Sequence, residues 1–582
     1  MEPPQSTLSL LKGPTEPPLW HTSLGSLVDR QAIQYGDRPA VIIPWQSARL
    51  SYRQLAARSW VVAEALFKLG LRHGDCVGIM AGNRFEYLET LLGASRLGCP
   101  VVVLNTTYTP HELQNALQKS SIYKGCKVLF IAPSIGSRQL HQHIEQLHQH
   151  NTPGSPLPDL LQVISLDKVS GLKGEVKIRE YNSLISTSSI DAASNVELKR
   201  IAQSVTPEDT INLQFTSGTT GDPKAAMLSS FNIVNNGRFV GDALHLTEHD
   251  IVCCPPPLFH CFGLVLGFMA SFTHGSAIIF PSDSFDAGQV IQSIIDYHAT
   301  VLYGVPTMFV AEMEVADKIG WTPTTLRLGL SAGSTMPAAL GKKMSIKMGL
   351  DKVIIAYGMT ETSPVTFLTN MEDSLERRLN SIGRIIPHAM GKVIDSEGSI
   401  VPRGKKGELC TSGFGLQKGY WRNQAMTDEV MKKDKDGVLW MHTGDEVFVD
   451  DDGYAYLTGR IKDMIIRGGE NIFPREIEER LLEHSSIAEA SVVGIHDEKY
   501  GEVVGAFVRL APAAKSRPRD EEIRAWAIEK LGRHKAPKHI FWVGAEEAVA
   551  NFPQTGSGKI QKHLLRDIGN RLVKQSMIRP KL

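Results

Sequence analysis

From Arg53 to Phe67 the apolar side chains recur at helical spacing, and the run stops at Gly70. The next apolar stretch, Cys76-Val77-Gly78-Ile79-Met80, is short and nearly continuous, as expected of a strand buried on both faces. Tyr87 to Leu97 returns to helical spacing, and Val101-Val102-Val103-Leu104 to a strand. This rhythm predicts an α/β architecture of doubly wound, mostly parallel sheet. Ile211-Asn212-Leu213-Gln214-Phe215 alternates with period two and predicts a further strand. The stretch from about Ser134 to Val205 is polar and irregular. Beyond residue 460 the character changes: strands at Ala490–Gly494 and Val504–Val508 and a helix from Glu521 to Leu531 predict a compact α+β unit. The boundary falls at Arg460-Ile461-Lys462, giving an arm (1–20), a large domain (21–461) and a smaller one (462–582).

Charge narrows the partners. Across 582 residues, 62 Lys and Arg offset 62 Asp and Glu. An extended nucleic-acid surface would need a basic excess, so none is expected. No run of about 18 uncharged apolar residues occurs, and no membrane span is predicted. Seven cysteines without a CxxC pair predict reduced thiols. Cys253-Cys254 with His260-Cys261 is a poor metal set, because adjacent cysteines fit a tetrahedron badly. His141, His143, His148 and His150 read as a solvated helix, since helical pairs seven apart lie about 10.5 Å apart. The start is Pro-rich and unlike a secretory or mitochondrial leader. The last three residues, Pro580-Lys581-Leu582, resemble the SKL-type peroxisomal address. The peroxisome is therefore the expected location, and its import receptor an expected partner.

The strongest local chemistry lies in Thr216-Ser217-Gly218-Thr219-Thr220-Gly221-Asp222-Pro223-Lys224. It follows a predicted strand and precedes a helix for which Ser229 and Ser230 are N-cap candidates. Glycines that let backbone N–H groups approach, four hydroxyls and a lysine suit a phosphate cradle. The spacing excludes a Walker A loop, as does Ala225 after Lys224. Gly556-Ser557-Gly558-Lys559 fails the same test, with Pro553 and Ile560 at the required glycine and hydroxyl positions.

Thr216–Lys224 resembles the phosphate-loop motif of the adenylate-forming superfamily, which includes acyl-CoA synthetases, peptide-synthetase adenylation domains and firefly luciferase. Five more motifs stand in that family's order: Tyr357-Gly358-Met359-Thr360-Glu361, Gly407-Glu408-Leu409, Thr443-Gly444-Asp445, Gly459-Arg460-Ile461-Lys462-Asp463 and Pro553-Gln554-Thr555-Gly556-Ser557-Gly558-Lys559. The resemblance runs from about residue 24 to 570. Gly468-Gly469-Glu470-Asn471-Ile472-Phe473-Pro474 and Ser557–Lys562 are similar to the medium-chain acyl-CoA ligase branch, which has relatives in fungal secondary metabolism and siderophore pathways.

The resemblance implies a large N-terminal domain with doubly wound sheets and a small distorted barrel, followed by a mobile C-terminal lid hinged at Lys462. It implies an enzyme that uses ATP and Mg²⁺ to make an acyl-adenylate and then transfers the acyl group to CoA. Thr216, Ser217, Gly218, Thr219, Thr220, Gly221 and Lys224 would hold the β- and γ-phosphates. Thr360 would donate to the α-phosphate and Glu361 would hold Mg²⁺. Gly333, Ser334, Thr335, Ala356, Tyr357 and Gly358 would line the adenine slot, with Tyr357 stacking on the ring. Asp445 would accept the ribose hydroxyls and Arg460 would support ribose or phosphate. Lys559 would be the catalytic lysine, Gly468 and Gly469 would line the pantetheine tunnel, and His260 would gate it. Phe262, Val305, Thr307 and Ser363 are expected around the acyl group, with a medium-chain fatty acid the first candidate and mevalonate the second. The alternatives are an enzyme that loads a carrier protein and an inactive nucleotide-binding homologue. Two departures stand out: Ala225 where the family has glycine, expected to stiffen the loop, and Ser230 where it has histidine.

Overall fold

The computed structural model describes residues 7–119, 125–147, 155, 157–172, 178–188, 195–216, 224–334, 336–512, 514, 516–544, 547, 549–556 and 558–578. Two large sheets carry most of the chain. The first has seven strands in the order Arg179–Glu180, Gln162–Ser165, Cys126–Ile131, Cys76–Met80, Val101–Val103, Thr210–Thr216 and Lys224–Ser229, parallel except for the last pair. The second has nine. Its centre is parallel: Val353–Gly358, Leu328–Ala332, Val301–Gly304, Ile251–Cys253, Ala277–Ile279 and Pro39–Ile43. One apolar core joins both sheets to the helices Tyr52–Lys68, Phe85–Arg96 and Ser230–Ala243 and to the π-helical segment Phe262–Met269. This is the doubly wound α/β body read from the alternation.

A third, antiparallel sheet has six strands and stands where the small barrel was expected. It runs Leu10–Lys12, Ala389–Ile394, Gly407–Gly413, Leu439–Val449 and Met431–Lys433, with Ala455–Arg460 also on Leu439–Val449. Part of the first 20 residues is therefore a strand. Leu10 pairs with Lys392, and the neighbouring Leu11 is buried.

After a short 3₁₀ turn at Ile461–Asp463 comes the smaller unit. Ile465–Arg467, Glu470–Ile472, Ile487–Asp497 and Gly501–Leu510 pair antiparallel, and His539–Val543 adds a parallel strand. Its helices are Pro474–Leu482, Asp520–Lys530 and Lys562–Ile578, and its apolar cores are its own.

Three expectations change. Lys224 opens a strand, antiparallel to Thr210–Thr216, so the helix does not follow the loop directly. Ser229 caps that helix in a capping box with Asn232, while the Ser230 hydroxyl accepts the Leu24 N–H at 3.1 Å. His143 is not solvated: it is buried, with Nε2 2.7 Å from the Tyr108 carbonyl. The cysteines are buried and none forms a disulfide. Among the described residues no helix is long and apolar enough to cross a membrane.

Candidate active site

Ligands of open α/β sheets collect at the carboxyl ends of the parallel strands. In the nine-stranded sheet those ends carry Gly333 and Ser334 after Leu328–Ala332, Ala356 to Gly358 in Val353–Gly358, and Val305 and Thr307 after Val301–Gly304. Thr360 and Glu361 open the 3₁₀ turn that follows.

Asp445 is the first point of convergence. It sits opposite Arg460 in the antiparallel pair Leu439–Val449 and Ala455–Arg460. The Arg460 Nε is 3.3 Å from Oδ1, and the Tyr357 hydroxyl donates to Oδ2 at 2.6 Å. Tyr357 thus joins the nine-stranded sheet to the antiparallel one. Burial, then the Asp445 charge, raises its phenol pKa well above the ordinary value. Its ring meets Phe367 edge-on at 6.1 Å. Asp445 remains an acceptor on both oxygens, each with lone pairs to spare.

Glu361 is the second. Its carboxylate is buried, and Oε1 accepts the Tyr420 hydroxyl at 2.8 Å. The Lys224 ammonium lies 5.5 Å from the centre of the Tyr420 ring. One tyrosine therefore links the lysine at the end of the phosphate loop to the carboxylate. A hard oxygen held this way suits Mg²⁺, which takes one or two carboxylates and completes its shell with phosphate and water.

Lys559 is the third, and it comes from the smaller unit. Its loop is a closed turn in which Thr555 N–H bonds to the Lys559 carbonyl at 2.8 Å and Lys559 N–H to the Thr555 hydroxyl at 3.1 Å. The turn presses on the large domain: a Cβ at Gly556 would stand 2.4 Å from Asn105 Oδ1 and 3.1 Å from the Phe259 ring. Next along, Gly558 faces Val305 and Thr307. The Lys559 side chain opens to solvent within this cleft. The Arg460 cation, then desolvation, lowers its pKa to about 8, while Asp445, Asp463 and Glu361 pull the other way. Two cations facing one space are the complement of an anion.

His260 borders the same space. Burial, then the Lys559 charge, pushes it down to about 4, so the ring is neutral. Nδ1 accepts the Phe262 N–H at 3.1 Å, which places the ring proton on Nε2. Phe262 is buried with its ring 6.1 Å from Tyr303. The Ser363 hydroxyl is committed to the Gly415 carbonyl at 2.7 Å.

Gly468 and Gly469 are not brought to this cluster. They form the exposed turn of the hairpin Ile465–Arg467 and Glu470–Ile472, with φ of 59° and 88°. Lys462 sits exposed in the 3₁₀ turn between the two units. Ser217 to Pro223, Thr335, Ser557 and the final Pro580-Lys581-Leu582 lie outside the described residues.

Comparison with known proteins fits this geometry. Residues 28–421 match the AMP-binding enzyme family, and residues 476–559 match the AMP-binding enzyme C-terminal domain. The chain belongs to the AMP-binding enzyme family. Acyl-CoA ligase sidI of Aspergillus fumigatus is 45% identical to this AMP-binding enzyme, over 100% of its chain and 98% of that protein's. The mitochondrial medium-chain acyl-CoA ligase ACSF2 of Bos taurus is 34% identical over 97% and 90%. The crystal structure of the anthranilate CoA ligase AuaEII in complex with anthranoyl-AMP superposes with a TM-score of 0.81, at 25% identity over 96% of this chain and 99% of that one.

Three residues of this AMP-binding enzyme escaped the sequence reading. Tyr420 lies in an aromatic pair with Trp421, which reads as core. Gln214, inside a strand, donates to the Phe259 carbonyl at 2.8 Å and accepts the Cys261 thiol at 2.7 Å, so it pins the His260 segment to the strand before the phosphate loop. Asn105, which receives the Lys559 turn, lies just past a predicted strand with no motif around it.

Proposed function

We propose that the protein is an AMP-forming acid–CoA ligase that acts on a medium-chain fatty acid or, second, on a short branched or hydroxylated acid such as mevalonate. The observation that carries this is the delivery of Lys559 from the smaller unit into a cleft already holding Arg460, Asp445, Tyr357 and Glu361. A carboxylate attacking a phosphate brings two anions together, and Lys559 and Arg460 offset their repulsion as charge gathers at the α-phosphate. Lys224 and the loop before it hold the outer phosphates, and Thr360 donates to the inner one. Asp445 accepts the ribose hydroxyls. Tyr357, through its bond to Asp445, fixes the edge of the adenine slot formed with Gly333, Ser334, Thr335, Ala356 and Gly358. Glu361 would hold Mg²⁺, whose contribution is to offset phosphate charge.

The second half-reaction needs room for CoA. The Lys559 turn occupies the cleft beside His260, so thioester formation requires the smaller unit to swing away about Lys462 and bring Gly468 and Gly469 in. A neutral His260 can line that passage without adding charge. Phe262, Val305, Thr307 and Ser363 border the acyl group. Pro580-Lys581-Leu582 supports residence in the peroxisome through its import receptor.

Incubating the purified chain with ATP, Mg²⁺, CoA and a panel of acids tests the reading. AMP, pyrophosphate and a CoA thioester are expected, with the preferred acid giving the highest kcat/KM. ADP formation, or no CoA-dependent product from any acid, would overturn it.

A further inference from the structure

Glu408 of the Gly407-Glu408-Leu409 motif has no part in the chemistry above. It and Cys410 lie on the strand Gly407–Gly413, and Cys410 pairs directly with His442 on Leu439–Val449. A register shift between Glu408 and Cys410 brings both side chains to the same imidazole. His442 Nδ1 stands 3.0 Å from Glu408 Oε2 and 3.6 Å from Cys410 Sγ. The three donor atoms lie within 4.8 Å of one another.

We propose that Glu408, Cys410 and His442 form a binding site for Zn²⁺ or a similar late first-row divalent ion, beside the Thr443-Gly444-Asp445 turn. Zinc bonds of about 2.3 Å to sulfur and about 2.0–2.2 Å to nitrogen and oxygen make tetrahedral edges of about 3.4–3.6 Å. The sulfur–nitrogen edge already has this length. The nitrogen–oxygen edge needs to open by a few tenths of an ångström, which a side-chain rotation supplies. The donors run from soft thiolate through imidazole to carboxylate, a set that favours zinc over Mg²⁺ or Ca²⁺.

The surroundings hold the donors in place. Glu408 Oε1 accepts the Gly444 N–H at 3.1 Å, and the Thr443 hydroxyl bonds to the Leu409 carbonyl at 2.8 Å. Cys410 is fully buried in the middle of its sheet, whereas His442 and Glu408 are half-open, leaving an approach for the ion and a fourth position for water. Binding would release the thiol proton. Lys392 and Lys432 also face Cys410, and they oppose a cation. Lys392 is engaged by Asp434 at 3.6 Å and lies over the Trp440 ring. An exchangeable ion that staples two strands is therefore expected, and its occupancy adds to the stability of the folded state by mass action.

The test is titration of the full chain with Zn²⁺ against a chromophoric chelator, and with Co²⁺ followed by absorption. One equivalent of Zn²⁺ is expected to bind, and Co²⁺ to give a thiolate-to-metal charge-transfer band with visible bands of tetrahedral intensity. His442→Gln should weaken Zn²⁺ binding at least about tenfold and remove the rise in Tm that Zn²⁺ produces in the parent chain. Cys410→Ser should abolish the charge-transfer band. The half-open His442 keeps the test valid if the buried serine variant fails to fold. No equimolar uptake at micromolar Zn²⁺, or uptake and Co²⁺ bands unchanged in the folded variants, would overturn the site.

Discussion

Lys559 owes its lowered pKa first to Arg460, and the consequence can be measured. In the proposed role its working form is the cation, which is present below about 8 and lost above it. The kcat/KM for ATP, which reports free-enzyme groups, should therefore fall as pH rises through that value. Lys559→Arg should move this alkaline limb out of range, and a limb that stays put would assign it to another group. Tyr420 offers a second residue-scale test. Tyr420→Phe keeps the ring under Lys224 but deletes the hydrogen bond to Glu361, a bond to a charged group worth about 1.5–3 kcal/mol. Pyrophosphate exchange should drop roughly tenfold to a hundredfold, with more Mg²⁺ needed for half-maximal rate. An unchanged Mg²⁺ requirement would detach Tyr420 from the carboxylate. The catalytic lysine was expected from its motif, but the role of Tyr420 was not legible beforehand, because a tyrosine beside a tryptophan carries no local mark of the acid that it meets 59 positions away.

At the scale of elements, the helix Pro306–Ile319 buries Glu312 completely, and neither of its oxygens has a partner among the described residues. Burial raises its pKa from 4.5 to about 8. Between those values the folded chain keeps a proton that the unfolded chain has released. Stability is therefore full below 4.5, falls as pH rises and has lost this contribution above about 8. Glu312→Gln should raise the free energy of unfolding more above pH 8 than at mildly acidic pH, by on the order of a few kcal/mol. Equal shifts at both would mean that the acid is not buried uncharged. Elements with strong periodicity were legible: Cys76–Met80 is the strand expected, and the expected helix from Glu521 is Asp520–Lys530. The strand Lys224–Ser229 was not. Its Ala225-Ala226-Met227-Leu228 run is short and apolar, and only pairing with Thr210–Thr216 distinguishes it from the start of a helix. That pairing also relocates the Ala225 departure, since Ala225 stands opposite Phe215 inside the sheet rather than in the phosphate loop.

For the whole molecule, the proposed function makes the relation between the two units the switch between half-reactions. The Lys559 turn fits against Asn105 and Phe259 because Gly556 has no side chain. Gly556→Val should hold the turn off the large domain and lower adenylate formation, while thioester formation from a supplied acyl-adenylate is largely kept. Lys462→Pro, which restricts the connecting turn, should do the reverse. Equal losses of both steps in both variants would remove the case for a swinging lid.

The strand Leu10–Lys12 bears on how the chain comes off the ribosome. Leu10 and its partner Lys392 are 382 positions apart (392 − 10). At about 5–20 residues per second, roughly 20–80 s of synthesis separate the two strands. Throughout that interval the first strand has no edge to join. Once Ala389–Ile394 emerges, its edge is open to any strand until the early segment returns. Leu11, buried in the finished sheet, therefore lacks its native cover through most of translation, and this sheet is the last of the large domain's three to have all its strands synthesised.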